Sequence, residues 1–171
     1  MLKFLLNYIE STVSNKQILR PPGAVPEKEF LNKCIQCNKC LQICPYDSIV
    51  VAGMEHGTSY GTPIIIARDV PCYLCMLCPP ICPTGALDND LVEKEEVRMG
   101  IAVINEETCL PFTGIICRAC FENCPIFRKA IILEDEMYPK IVEEHCIGCG
   151  ICEDVCPVEG SAVIVKSNHN V

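Results

Sequence analysis

Residues His145–Pro157 read HCIGCGICEDVCP. Cys146, Cys149, Cys152 and Cys156 stand at C-x2-C-x2-C-x3-C, and Pro157 follows the last. This is the spacing that holds a [4Fe–4S] cluster. A cubane offers four irons at tetrahedral corners. Three cysteines three residues apart wrap three corners with one tight coil of backbone, whose N–H groups then face the inorganic sulfides. The fourth cysteine begins a separate element and, in two-cluster chains, ligates the neighbouring cluster. Gly148 and Gly150 admit backbone angles that a Cβ resists, and Pro157 fixes the direction of exit.

Working outward, the same run occurs four times. Cys34, Cys37, Cys40, Cys44 and Pro45 form the first, and Cys72, Cys75, Cys78, Cys82 and Pro83 the second. The third is stretched at its start: Cys109, seven residues, then Cys117, Cys120, Cys124 and Pro125. Four runs of four use all 16 cysteines of the chain, so the sixteen are the expected iron ligands of four [4Fe–4S] clusters.

Composition fits that reading. In 171 residues there is no Trp and only five Phe, so the organic core is thin and needs staples. Cluster assembly is therefore expected to be coupled to folding. A disulfide scaffold would suit a secreted chain, but Met1–Asn15 lacks the long apolar region and small-residue cleavage site of a secretory signal. Structural zinc usually takes separated C-x2-C pairs, not three cysteines in step followed by Cys-Pro. The formal charge is −8, and four oxidised clusters at about −2 each would take the holoprotein to about −16. A nucleic-acid partner is not expected. No stretch reaches the length of a membrane span, and a cytoplasmic location is the expectation.

Along the chain, Leu2, Leu5, Leu6, Ile9 and Val13 fall on one face of a short helix, and Arg20-Pro21-Pro22-Gly23-Ala24 reads as extended. Residues 1–25 are thus read as a docking helix and arm, 26–165 as a double cluster-binding domain, and 166–171 as a tail. Strands are expected at Ile49–Val51, Pro63–Ala67, Val97–Val103 and Ala162–Val165, with a hairpin from Ala130–Leu133 to Lys140–Val142. Cluster loop, short helix or turn, then strand recurs four times, an internal repeat at the scale of a bacterial ferredoxin. The expected fold is α+β: two ferredoxin-like units with short strands and helices packed around four clusters. Spacing leaves the pairing of the motifs open. Sequential pairing joins the first run to the second and the third to the fourth. Nested pairing joins the first to the fourth and the second to the third.

RPPGAVPEKEFLNKCIQCNKCLQICPYD, GTPIIIARDVPCYLCMLCPPICPTGALD and CLPFTGIICRACFENCP resemble successive cluster regions of the ferredoxin-type subunits associated with periplasmic nitrate reductase and methylamine utilisation. The resemblance spans roughly residues 20–165, and the RPPGA element and the stretched third motif carry it. That family is similar to the iron–sulfur subunits of molybdenum reductases, whose motifs pair in the nested way, so the resemblance implies nested pairing. Cys156 would then complete the cluster of Cys34, Cys37 and Cys40. The nitrate-linked members carry a twin-arginine export signal that is not seen here. The resemblance thus extends to the small electron-transfer subunits of tungsten aldehyde oxidoreductases and class II benzoyl-CoA reductases.

The function expected is electron transfer, to or from a larger tungsten- or molybdenum-containing catalytic subunit, with an external donor or acceptor. A free-standing polyferredoxin and a structural or assembly iron–sulfur protein are the alternatives. No catalytic constellation accompanies the cysteines. His56 and His169 have no evident partner, His145 abuts Cys146 and is read as an exposed structural residue or a tuner of the cluster's potential, and neither a G-x-G-x-x-G nor a Walker loop occurs.

Overall fold

Short apolar runs between the cysteine loops pair into three small antiparallel sheets in the computed structural model, which describes residues 18–168. The amphipathic segment expected over Leu2–Val13 lies outside the described residues. Strand β1 (Ile49–Val51) pairs with β2 (Pro63–Ile65), and β4 (Ile131–Glu134) with β5 (Tyr138–Ile141). Strand β3 (Gly100–Ile104) pairs with β6 (Val163–Ser167). The helices are short: α1 (Glu27–Lys33), α2 (Lys39–Ile43), α3 (Cys78–Ile81), α4 (Ala119–Asn123) and α5 (Ile151–Asp154).

These elements form the same figure twice. In the second half, β3 and β6 close the unit, β4–β5 is its central hairpin, and α4 packs on α5. In the first half, Ala24 bridges to Leu87, β1–β2 is the hairpin, and α2 packs on α3. Each short helix after α1 carries the third cysteine of its run, and the fourth cysteine follows it.

Register follows side-chain parity. Ala102, Val163 and Val165 turn inward, whereas Val103 and Ile164 turn out. The last strand runs to Ser167, past the tail boundary expected at 166, because Gly100 pairs with Ser167 and Ile101 with Lys166. Val97 and Met99 were expected in strand. They precede β3 and are buried, and the Met99 N–H donates to the Ile147 carbonyl at 3.0 Å.

The two halves share one core, which runs from Leu19 and Phe30 through Ala67 and Cys72 to Ile147 and Val165. Their junction is direct. The Cys72 N–H donates to the Cys149 carbonyl at 2.9 Å. Arg68 crosses from the first half and donates to the carbonyls of Glu153 (2.6 Å), Asp154 (3.0 Å) and Cys156 (3.0 Å). It thereby satisfies carbonyls that the end of α5 leaves open. Gly150 lies so close to Ala67 that a Cβ would come within 2.4 Å of the Ala67 Cβ.

The arm of residues 18–25 is built into the first half. Leu19 bridges to Ile65, and Arg20, Pro21 and Pro22 are buried. Arg20 is 0% exposed, and its guanidinium forks onto Glu27 (Nε to Oε2, 2.8 Å; Nη2 to Oε1, 2.5 Å). It also donates to Thr62 Oγ1 at 2.7 Å and the Pro63 carbonyl at 2.8 Å, and lies 4.3 Å above the Phe30 ring.

Candidate iron–sulfur sites

The three evenly spaced cysteine loops share one backbone device. The residues on either side of the second cysteine take left-handed angles: Gln36 and Asn38 (φ 55 and 59), Leu74 and Met76 (both 56), Gly148 and Gly150 (72 and 85). Such alternation turns successive N–H groups to one side and makes a concave anion-binding nest. Leucine and methionine rarely adopt these angles, at about 1–2 kcal/mol each. The loops hold strain that a ligand at their centre would justify. The glycines of the last loop answer a second demand as well, because a Cβ on Gly148 would strike the Gly100 backbone at 2.3 Å.

The sixteen cysteines gather into four quartets. Cys34, Cys37, Cys40 and Cys82 line one cavity of about 360 Å³. Cys124 joins Cys146, Cys149 and Cys152 around about 340 Å³. Cys109, Cys117, Cys120 and Cys156 surround about 310 Å³. In the remaining quartet Cys75 and Cys44 act electrostatically on Cys72, and Cys72 and Cys75 on Cys78. Pairing is thus sequential, and the nested pairing implied by resemblance is corrected. Cys156 sits with Cys109, not with Cys34, because α2 packs on α3 and α4 on α5. Each packed pair of helices carries its final cysteine across to the other loop of its own half.

Burial governs the thiols. It pushes Cys40 up to about 11 and Cys72, Cys120 and Cys149 up to about 12, and it also raises Cys78 and Cys152 well above the ordinary thiol range. Two cysteines go the other way. Burial also pushes Cys82 up, but the N–H groups of Leu87, Thr84 and Ala86 and the Thr84 hydroxyl outweigh it, and the thiol lies below its usual value. Cys156 is lowered against burial by the N–H groups of Ala162 and Val158, the Ser161 hydroxyl and the charge of Arg68. N–H groups approach the sulfurs closely: Leu87 to Cys82 at 3.5 Å, Ala102 to Cys146 at 3.4 Å and Ala162 to Cys156 at 3.3 Å.

This donor set fits an iron–sulfur cluster. Each quartet offers four thiols, and the three that surround a cavity have apolar walls and N–H groups aimed at sulfur. Among the described residues no three His, Cys, Asp or Glu converge closely enough to hold a single metal ion. Three of the quartets ring a volume, whereas zinc draws four thiolates to a point at about 2.3 Å.

Comparison with known proteins agrees. Residues 33–86 and 102–164 each match a 4Fe-4S dicluster domain. The ferredoxin-type protein NapG of Escherichia coli is 41% identical over 160 residues, 86% of this chain and 69% of NapG. The methylamine utilization ferredoxin-type protein MauM of Methylorubrum extorquens is 40% identical over 172 residues, 94% of this chain and 78% of MauM. MauM of Paracoccus denitrificans is 41% identical over 157 residues, 86% of this chain and 70% of the relative. The chain belongs to the NapG/MauM family of ferredoxin-type proteins. Two dicluster domains and 16 cysteines fit four [4Fe–4S] clusters in this chain. Among the described residues no helix is long and apolar enough to cross a membrane.

Sequence reasoning missed Arg20 and Arg68. The signal for Arg20 was legible: an arginine between apolar Leu19 and two prolines is costly to bury and implies a partner. Arg68 carried no such signal, since its acceptors are main-chain carbonyls 85 or more residues away.

Proposed function

We propose that this chain is an electron-transfer subunit in which each cysteine quartet holds one [4Fe–4S] cluster. The observation that carries the reading is the order of the quartets. Cys40 of the first acts on Cys78 of the second. Cys72 of the second acts on Cys149 of the third, the one holding Cys124, Cys146, Cys149 and Cys152. Cys120 of the fourth acts on Cys152 of the third. The quartets therefore stand in a row, with those of Cys34 and Cys109 at its ends. A row with two ends suits a relay between two partners better than four isolated staples do.

Bound clusters supply one-electron chemistry. The chain's own residues hold the irons, exclude water through apolar walls and donate N–H groups to sulfur, which sets the potentials. One partner is a larger oxidoreductase subunit, with a tungsten or molybdenum enzyme the first candidate. The other is an external donor or acceptor. Anaerobic affinity purification with metal counting tests the reading. It predicts about 16 iron per chain, reducible by dithionite, together with a large tungsten- or molybdenum-bearing partner. Full iron without a partner would favour a free polyferredoxin, and clusters that cannot be reduced would overturn the relay.

A further inference from the structure

The stretched third motif makes more loop than ligation needs. Other first-to-second cysteine intervals in the chain hold two residues, and this one holds seven. The extra chain is firmly built. Leu110–Thr113 forms a 3-10 turn with Pro111 buried, Gly114 reverses direction at φ 90, and the Ile115 N–H returns to the Leu110 carbonyl at 3.0 Å. Phe112 is held against the Tyr138 ring at 5.2 Å. The turn thereby thrusts out two large apolar side chains, Ile115 at 56% and Ile116 at 78% exposure. Exposing both beside a cysteine ligand has no evident use within this chain.

This lip stands at one end of the row, next to Cys117. Its surroundings are acidic. Glu106 is close enough to act on the Cys109 thiol, Glu107 beside it is exposed, and the Arg118 guanidinium is engaged by the Glu136 carbonyl at 2.9 Å. An apolar centre with a charged rim is the anatomy of a transient docking face.

We propose that Ile115 and Ile116, with the acidic pair Glu106 and Glu107 at the same quartet, dock a redox protein whose own apolar patch is ringed by lysine or arginine. The proposal deepens the relay reading and rests on it. The acidic rim steers the partner, and the two isoleucines seat it against the terminal quartet.

The test uses dithionite-reduced holoprotein and two oxidants: a basic monohaem cytochrome, whose haem edge is ringed by lysines, and a small neutral quinone. Stopped-flow rates are compared for the parent, Ile115→Ser/Ile116→Ser, Glu106→Gln/Glu107→Gln and, away from the face, Glu93→Gln/Glu95→Gln. With the cytochrome, each face pair lowers the second-order rate by about tenfold, while the off-face pair stays within about twofold. The parent rate falls with added salt, and that slope flattens in the glutamate variant. Iron content and the quinone rate stay at parent values throughout. Face variants that keep the parent cytochrome rate would overturn the docking proposal and leave the relay standing. So would sedimentation showing that the holoprotein self-associates through this lip. A parent protein that exchanges electrons with neither oxidant would sink the relay reading itself.

Discussion

Arg20 and Glu27 allow a prediction whose magnitudes can be worked in advance. Removing one member of a buried ion pair costs about 3–5 kcal/mol, because the other charge stays behind. The two members are not equivalent here, since the Arg20 side chain is 0% exposed and that of Glu27 is 17% exposed. Glu27 also accepts the Ser59 hydroxyl at 2.8 Å. Glu27→Met therefore leaves a guanidinium with no route to water and should cost near the upper figure. Arg20→Met leaves a carboxylate that can reach solvent, and should cost near the lower. In a chain of this size about 1 kcal/mol shifts the melting temperature by about 2–4 °C, so the singles should melt about 6–20 °C below the parent. The double variant Arg20→Met/Glu27→Met removes both charges and should be milder than Glu27→Met alone, though Pro63 still loses a donor. The assay is circular dichroism of anaerobic holoprotein at one fixed scan rate, followed in the far-ultraviolet and in the cluster bands. A double variant that falls by the sum of the singles would refute the claim that the two charges answer one another.

Three further outcomes follow from the geometry. Gly150→Ala places a Cβ 2.4 Å from the Ala67 Cβ at φ 85. Left-handed backbone alone costs alanine about 1–2 kcal/mol, so the variant should lose stability by at least that in denaturant titration, with raised hydrogen exchange at the Cys72 amide that spans the junction. Hydrogen bonds to Cys82 and Cys156 favour the more negative, reduced state. The two terminal clusters should therefore titrate at higher potential than the inner two in EPR-monitored redox titration, and Thr84→Val should lower one signal only. Because cluster assembly is expected to be coupled to folding, chelating the iron should unfold the chain, and its far-ultraviolet circular dichroism should collapse together with the cluster bands.

Much of the fold was legible because cysteine spacing is a coordination geometry written in sequence. The runs marked which cysteines would converge, Ile49–Val51 is a strand as its β-branched residues between turns suggest, and the strand expected over Pro63–Ala67 is present but ends at Ile65. The hairpin expected after Ala130 is present with a tighter turn, since Glu134 pairs with Tyr138. What was not legible depends on packing between segments distant in sequence. No local pattern tells Cys44 to cross to Cys72 or Cys156 to Cys109, because the choice is made where α2 meets α3 and α4 meets α5. Resemblance pointed to the nested answer, and helix packing within each half decided against it. Residues 20–24 were read from their prolines as extended, but residues 21–24 close a turn, with the Ala24 N–H on the Pro21 carbonyl at 3.2 Å and Gly23 at φ 77, and the arm's burial follows from Arg20 finding Glu27, Thr62 and Pro63.

The most direct test of the account is EPR-monitored redox titration of anaerobic holoprotein for Cys156→Ser, set beside Cys117→Ser and Cys37→Ser. Cys117 shares a quartet with Cys156, and Cys37 belongs to the quartet at the far end of the row. The account predicts that Cys156→Ser and Cys117→Ser alter the same cluster signal while the one altered by Cys37→Ser stays intact. If Cys156→Ser instead alters the signal that Cys37→Ser alters, the quartets are wrongly assigned and the row of sites built on them is contradicted.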